Sequence, residues 1–323
     1  ALMSRGLGDV YKRQIKYMNI CSDEFYQEIN KLPQSLERFY LDIPYFNKNI
    51  HILPNSLKFL NIHSVDFDSN VDNLPKTLKY LKIRSKLFNQ SLDKLPPGLK
   101  YLDIVCSKFN NSLNNLPPYL KILKIYSISF TKNIDNFPKF LKVLEITNWT
   151  QNISYKFDSL PNSLKKLSLR CENFNQCFDL LPQNLKYLKF YSPNFNQKLD
   201  NLPQTLKVLK ISSNDFNQKL NKLPSQLEKL HVCTNTFYQN FLKLPQSLVN
   251  LKIRVSDDFN CKNFDKLPRF LKKLDIEITN YNISINDCLN DFDNLPPQIE
   301  KLDIEANINS CLLYTSDAAD DIR

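Results

Sequence analysis

The side chains that most often perform catalysis or bind metal ions are sparse in this chain of 323 residues. Its three histidines, His51, His63 and His231, lie in three different parts of the sequence, with His63 and His231 widely separated. Its 8 cysteines form neither a Cys-x-x-Cys pair nor a cluster with histidine. Gly98 is the one glycine between residues 9 and 323, which excludes a glycine-rich loop for binding phosphate. We therefore predict no enzyme activity, no metal site and no cofactor.

Tyrosine, lysine and arginine remain as candidates, and their chemistry is recognition. Tyrosine and arginine are favoured in interfaces because they combine a large contact area with directional hydrogen bonds. Lysine adds positive charge, and the formal net charge of the chain is +10. The residues that we predict to bind a partner are Tyr80, Lys82, Arg84, Tyr101, Lys124, Tyr126, Arg170, Tyr187, Lys189, Tyr191 and Lys210.

A repeat positions these side chains. A proline preceded by leucine or phenylalanine recurs with spacings of 21 residues five times, then 23, then 21 four times, then 23 and 28. A fixed period in this range indicates a solenoid, in which each repeat buries its apolar face against its neighbours. The repeat prolines are Pro33, Pro54, Pro75, Pro96, Pro117, Pro138, Pro161, Pro182, Pro203, Pro224, Pro245, Pro268 and Pro296.

Each repeat contains one short strand. In residues 80–84, Leu81 and Ile83 alternate with Tyr80, Lys82 and Arg84, which is the pattern of a strand with one buried face. Only about 15 residues of the repeat remain, and they contain proline and asparagine turn signals, so a full crossover helix does not fit. We predict a right-handed solenoid with fourteen short parallel strands on its concave face, irregular convex segments and few or no helices.

Three further positions recur at fixed distances from the strand. A phenylalanine is predicted to lie in the core, and asparagine usually follows it. A small polar residue, usually serine, ends the strand, and Cys106 and Cys171 occupy this position, so we interpret these thiols as structural. The phenylalanines are Phe46, Phe67, Phe88, Phe109, Phe130, Phe174, Phe195, Phe216, Phe237 and Phe259.

The outward strand positions vary from repeat to repeat, as on solenoids with individual binding surfaces. They are rich in tyrosine and basic residues in the middle of the chain, whereas the last two strands carry Asp275, Glu277, Asp303 and Glu305. Two interpretations remain open. The exposed aromatic residues bind a protein partner, which we favour, or cross-strand tyrosine pairs only stabilise the sheet.

A row of lysines precedes the strands and offers an alternative function. Such a row could follow a polyanion, which makes nucleic acid the alternative partner. It could equally keep the protein soluble, and we prefer a protein partner. The row contains Lys16, Lys58, Lys79, Lys100, Lys121, Lys142, Lys165, Lys186, Lys207 and Lys272.

The spacing Leu-x-x-Leu-x-Ile of Leu78, Leu81 and Ile83, followed by Phe88 and Asn89, resembles a leucine-rich repeat. It is most similar to the FNIP repeat of social amoebae and giant amoeba viruses. The resemblance implies a leucine-rich-repeat-type solenoid and an interaction scaffold. Because FNIP repeats in giant-virus proteins often follow an F-box, it also implies the substrate-recognition arm of a ubiquitin-ligase adaptor as a hypothesis.

The repeat pattern begins at Ile15 and ends near Ser310. Residues 1–14 and 311–323 differ in composition and look like translated sequencing-adaptor sequence, so we expect both to be non-native tails. Residues 15–310 are predicted to be a single solenoid truncated at both ends, with self-association through uncapped ends.

Composition bounds the remaining function classes. No run approaches 18 apolar residues, so we predict no transmembrane helix and no membrane partner. The cysteine pattern favours reduced, buried or half-buried thiols in a cytoplasmic protein.

Overall fold

The computed structural model describes residues 14–23, 25, 28–29, 31–132, 136–148, 159–235, 237–256, 264–279 and 294–306. The chain divides into two compact units. Unit 1 comprises residues 1–174 and 180–190, and unit 2 comprises residues 175–179 and 191–323. The predicted tails, apart from Gln14, lie outside the described residues, as does Phe259 of the predicted core.

The strands follow the predicted repeat. Within each unit, neighbouring strands pair in parallel and in register, as Leu81 with Leu102 in unit 1 and Leu230 with Leu251 in unit 2. The predicted solenoid of fourteen parallel strands is confirmed. The strands are β1 Tyr17–Cys21, β2 Arg38–Asp42, β3 Phe59–His63, β4 Tyr80–Ser85, β5 Tyr101–Cys106, β6 Ile122–Tyr126, β7 Val143–Thr147, β8 Lys166–Arg170, β9 Tyr187–Tyr191, β10 Val208–Ser212, β11 Lys229–Thr234, β12 Asn250–Val255, β13 Lys273–Ile278 and β14 Lys301–Ala306.

Helical structure is minimal in the described part of the chain. The described residues include the short 3₁₀ helix Phe264–Lys266 and no α-helix. The described residues accordingly include no helix with the length and apolar character needed to cross a membrane.

A proline turn leads into each strand from β2 to β14. The amide of Leu78 donates to the carbonyl of Pro75 at 3.0 Å. The equivalent bond closes the turn at all the remaining repeat prolines. The carbonyl of the residue before the strand then accepts two amides of the next repeat, as Lys79 accepts from Lys100 at 2.9 Å and from Tyr101 at 3.1 Å. Because each proline lies outside the strand, its missing amide costs no bond of the sheet.

The core consists of equal side chains stacked on one another. Leu81 and Ile83 are fully buried, and so is Phe109, whose ring centroid lies 6.1 Å from those of both Phe88 and Phe130. All predicted core phenylalanines within the described residues are buried. This confirms that the phenylalanines face inward between the strand and the return segment.

The asparagine that follows the phenylalanine has a backbone role. The Oδ1 atom of Asn89 accepts the amide of Asn110, and that of Asn110 accepts the amide of Thr131, both at 2.9 Å. In unit 2, Asn196 accepts the amide of Asn217 at 3.0 Å in the same way. A backbone amide in the irregular segment thereby gains a hydrogen-bond partner in the preceding repeat.

The residue that ends the strand links one repeat to the preceding one. Ser85 Oγ donates to the carbonyl of Phe67 at 2.8 Å, and Cys106 Sγ contacts the carbonyl of Phe88 at 2.9 Å. Cys106 therefore substitutes for serine as predicted. Equivalent bonds are made by Ser64, Ser127, Asn148, Ser213 and Thr234.

Burial also lowers the reactivity of these thiols. Burial raises the pKa of the Cys106 thiol above its ordinary value, and it raises the pKa of the Cys171 thiol to about 12. Since the thiolate is the reactive form, both side chains are inert near neutral pH.

We expect Phe109→Ala to destabilise the protein by about 3–5 kcal/mol, because it removes a buried ring and leaves a cavity. The free energy of unfolding in urea measures this. Phe270→Ala, at a position 50% exposed, is the control and should cost less than about 1 kcal/mol. Equal losses in the two variants would contradict the assignment of Phe109 to the core.

We expect iodoacetamide at about pH 8 to alkylate Cys177 but not Cys171, because the folded Cys171 thiol is almost fully protonated at that pH. Cys177 is exposed and Cys171 is buried. Peptide mass spectrometry distinguishes the two sites, and denaturant should make both reactive. Alkylation of Cys171 in the folded protein would contradict its burial.

Candidate functional site

The open face of the sheet, defined as the side opposite the core, presents the outward side chains in columns. In unit 1, Tyr80 is paired with Tyr101, and Lys82 with Asp103. All the residues predicted to bind a partner lie at outward positions of strands and are half-buried or exposed. Tyr80, Lys82, Arg84, Tyr101, Lys124, Tyr126, Arg170, Tyr187 and Lys189 lie in unit 1, and Tyr191 and Lys210 lie in unit 2.

A continuous stack of aromatic rings crosses the open face of β1 to β5. The rings of Phe59 and Tyr80 lie 4.0 Å apart, and those of Tyr80 and Tyr101 4.1 Å apart. Tilted contacts of 5.3 Å between Tyr17 and Tyr40 and of 4.8 Å between Tyr40 and Phe59 extend the stack. The sequence analysis selected Tyr80 and Tyr101 but left the other three out of the predicted site. Tyr17 and Phe59 share a column with Tyr80, so the register could have included them.

Polar contacts fix the end of this stack. Tyr101 Oη donates to Asp103 Oδ2 at 3.3 Å, and Lys82 Nζ lies 3.1 Å from the same oxygen. Burial, reinforced by the charge of Asp103, raises the pKa of Tyr101 far above its ordinary value. Burial likewise raises the pKa of Tyr80. Both phenols are therefore neutral hydrogen-bonding groups at physiological pH.

Ion pairs compensate the basic side chains of β6 to β8. Glu145 lies 2.9 Å from Lys124 and 3.1 Å from Lys166. Burial alone would raise the pKa of Glu145, but the hydrogen bonds and charges of the two lysines outweigh it and hold the pKa below its ordinary value. The Lys166 ammonium also lies 4.8 Å from the centroid of the Tyr187 ring. The basic middle of the chain is thus partly neutralised.

Other predicted side chains remain available to a ligand. The structure records no ion pair for Arg84 or Lys189 within the described residues, and Tyr126 is 41% exposed. Arg84 lines a cavity of about 310 Å³ on the open face of β1 to β4. His63 lies in the same cavity, with its Nδ1 atom 2.9 Å from Asp42 Oδ1. The described residues contain no group of three histidine, cysteine or acidic side chains that could hold a metal ion.

Unit 2 contains a lysine-lined groove of about 370 Å³ that the sequence analysis missed. Lys229 and Lys273 flank Asn250 on β11 to β13, and both are exposed. The lysines of this groove are visible in the sequence as outward residues of the strands. The acidic residues of β13 and β14 led the sequence analysis to treat this end of the chain as acidic. The groove lining includes Lys210, Lys229, His231, Asn250, Lys252, Lys273, Asp275, Lys301 and Asp303.

The acidic residues of β13 and β14 are largely paired with neighbouring bases. Asp275 lies 2.8 Å from Lys252, and Asp303 lies 2.5 Å from Lys301. Arg254 lies 2.6 Å from the buried Glu277. The open face of unit 2 is therefore not an acidic surface.

Comparison with known proteins supports the resemblance found in the sequence. The family model for the FNIP repeat matches residues 152–192 and 174–214, which confirms the similarity to FNIP repeats there. A search of curated proteins found no match.

Solved structures with a similar fold are leucine-rich-repeat proteins. CroV588, described as a novel circular LRR protein, is 25% identical, with a TM-score of 0.56, and the match covers 90% of this chain and 50% of CroV588. YopM from Yersinia enterocolitica WA-314 is 20% identical, with a TM-score of 0.52, covering 93% of this chain and 71% of YopM. The functional domain of InlJ from Listeria monocytogenes is 13% identical, with a TM-score of 0.54, and the match covers 92% of this chain and 69% of the InlJ chain. The fold is thus a leucine-rich-repeat-type solenoid, and this chain spans half the length of CroV588.

We expect the stability of the protein to fall at alkaline pH and Tyr101→Phe to reduce that fall. Because the pKa of Tyr101 is raised in the folded state, its neutral hydroxyl stabilises the fold fully below about pH 10, and this contribution is lost as the pH rises further. The midpoints of urea unfolding at about pH 8 and about pH 10.5 give, for each protein, the slope of stability against pH.

Tyr45→Phe is the matched control, because Tyr45 is 64% exposed. It should leave the alkaline slope of the parent protein unchanged. An equal slope for Tyr101→Phe and the parent would show that Tyr101 ionises as freely in the folded chain as in the unfolded one.

Proposed function

We propose that this protein is a non-catalytic scaffold that binds a protein partner on the open face of its sheet. The observation that carries the proposal is the contrast between the two faces. Core positions repeat leucine and isoleucine from strand to strand, whereas most outward positions differ between neighbouring strands while keeping the same register. Variation on one face of a regular scaffold is how solenoids generate individual binding surfaces.

The aromatic stack of β1 to β5 supplies the apolar centre of the proposed interface. Stacking holds the rings of Phe59, Tyr80 and Tyr101 in place before a partner arrives, so binding costs little additional side-chain entropy. Tyr17 remains 56% exposed at one end of the stack. Rigid aromatic side chains of this kind frequently dominate binding energy.

The charged side chains provide the selectivity of the proposed interface. Lys82, Lys124 and Lys166 are already oriented by carboxylates of the sheet, so they contribute directional contacts more than net attraction. Arg84, and the lysines of the groove in unit 2, favour acidic groups on the partner. Complementary charge of this kind accelerates association and excludes wrong partners.

A more specific form of the proposal follows from the similarity to FNIP repeats. We propose that the solenoid selects substrates for a ubiquitin-ligase adaptor. This role requires a second domain that recruits the ligase, so co-purification of the full-length gene product with ligase subunits tests it separately from the binding face.

We expect a photo-crosslinking amino acid at position 126 to capture a defined partner in the native host, because Tyr126 is exposed on the open face. The same amino acid at position 45 is the control, since Tyr45 is exposed in the turn after β2. Mass spectrometry identifies the crosslinked protein. Capture at position 45 alone would contradict the proposal.

We expect Tyr101→Ala and Tyr187→Ala each to weaken binding of the captured partner at least about thirtyfold, because residues that dominate an interface contribute about 2 kcal/mol or more. Tyr238→Ala is the control, at an exposed tyrosine outside the strands. Isothermal titration calorimetry with the purified partner gives the affinities. Unchanged affinity in both strand variants would favour the view that the tyrosines only stabilise the sheet.

A further inference from the structure

The edge of unit 1 where the chain enters β4 to β9 carries an unbroken row of lysines. The backbone holds them in line, because the amide of each donates to the carbonyl of the preceding one at 2.8–2.9 Å. All their side chains are exposed. With five intervals of about 4.8 Å the row is roughly 24 Å long. We define the lysine row as Lys79, Lys100, Lys121, Lys142, Lys165 and Lys186.

The lysine row differs from the rest of the same column. Elsewhere in the column each lysine has a glutamate beside it, as Glu37 lies between Lys16 and Lys58, at 3.8 and 2.9 Å. Lys207 pairs with Glu228, and Lys272 with Glu300, both at 2.6 Å. The structure records no such carboxylate for the lysine row within the described residues. Like charges on adjacent strands repel each other, so an external polyanion would stabilise this edge.

Two exposed aromatic rings lie in the turns beside the lysine row. Tyr119 and Phe140 are the second residues after their repeat prolines, 58% and 43% exposed, with nearly parallel rings whose centroids lie 6.0 Å apart. Other repeats place a small hydroxyl here, which donates to a carbonyl of the preceding repeat. Examples are Ser35, Ser56, Thr77, Ser163 and Ser247. Tyr119 and Phe140 replace that bond with exposed apolar surface.

The position that precedes Tyr119 in this column is Gly98, which has no side chain to cover the ring. A Cβ atom on Gly98 would lie 2.5 Å from Lys79 Nζ. An ammonium group of the lysine row therefore occupies the space that a side chain at position 98 would take. An anionic group and a flat ring of one ligand can be bound here together.

We propose that this edge of unit 1 binds single-stranded nucleic acid, with phosphates along the lysine row and bases stacked on Tyr119 and Phe140. Regularly spaced phosphates match a regular row of cations, and flat aromatic faces stack bases irrespective of sequence. An acidic peptide would match the charge but would leave the ring faces without a planar partner. This surface is distinct from the open face, so the inference does not depend on the proposed function.

Fluorescence anisotropy with a labelled random single-stranded RNA of about 15 nucleotides tests the proposal. The double variant Tyr119→Ser, Phe140→Ser restores the residue type found in other repeats, so it should fold. It should weaken binding at least about tenfold, because stacked bases contribute strongly to affinity. The triple variant Lys100→Gln, Lys121→Gln, Lys142→Gln should lower the slope of log affinity against log salt by about 2.

Matched controls separate the site from general effects of charge and apolar exposure. Phe270→Ser changes an exposed aromatic residue of the same column outside the lysine row. Lys198→Gln, Lys219→Gln, Lys243→Gln removes the same charge from exposed positions elsewhere. Both controls should retain the affinity of the parent protein to within about twofold and its salt slope to within about 0.5.

Three outcomes would overturn the proposal. One is the absence of binding at roughly 50 mM salt, where electrostatic attraction is strong. Another is equally tight binding of polyglutamate or duplex RNA that the serine substitutions do not weaken. The third is equal weakening by the control and test variants. Urea unfolding of every variant shows whether it is folded, and the lysine variant provides an independent test if the serine variant is not.

Discussion

In-register parallel pairing is the constraint on which the rest of this structure depends. A side chain on one strand lies beside the side chain one repeat earlier, so each recurring position becomes a column of direct contacts. Phenylalanine therefore packs on phenylalanine, and leucine on leucine. Apolar residues tolerate this like-on-like arrangement, because dispersion and burial require only complementary shape. The regular core is a direct result, and it needs no helix to cover it.

Polar residues are harder to place in such columns, because an identical neighbour does not supply a complementary hydrogen-bond partner or an opposite charge. Asparagine and serine satisfy the constraint by bonding to the backbone of the adjacent repeat, which is identical in every repeat. Charged residues satisfy it on some strands by alternation, as Lys124, Glu145 and Lys166 do on successive strands. The lysine row departs from this alternation, and so do β13 and β14, where Asp275 lies beside Asp303. The two rings in the turns beside the lysine row depart from the small hydroxyl residue of other repeats. Such departures are therefore more informative about function than the abundance of any residue type.

Much of the fold followed from two periods in the sequence. The alternation within a strand assigned each residue to a face, and the repeat aligned the strands, so the buried phenylalanines and the structural role of Cys106 were predicted. The ion pair of Lys82 with Asp103 was not predicted, although both residues lie in one column. Only the composition of each column was considered, and not which opposite charges are adjacent in it. The contact of Tyr40 with Phe59 joins two different columns, and no periodicity predicts such a diagonal. The identity of a partner depends on side chains that packing does not constrain.

The asparagine bonds have a consequence for how such a protein changes over generations. Each Oδ1 acceptor receives an amide that any further repeat would supply, and most repeats offer the same acceptor to the next. A duplicated or deleted segment of one period leaves no orphaned backbone group at the junction. Unequal recombination between repeats can therefore lengthen or shorten the array without loss of foldability. Array length becomes a heritable variable, and recognition surfaces can be gained one strand at a time.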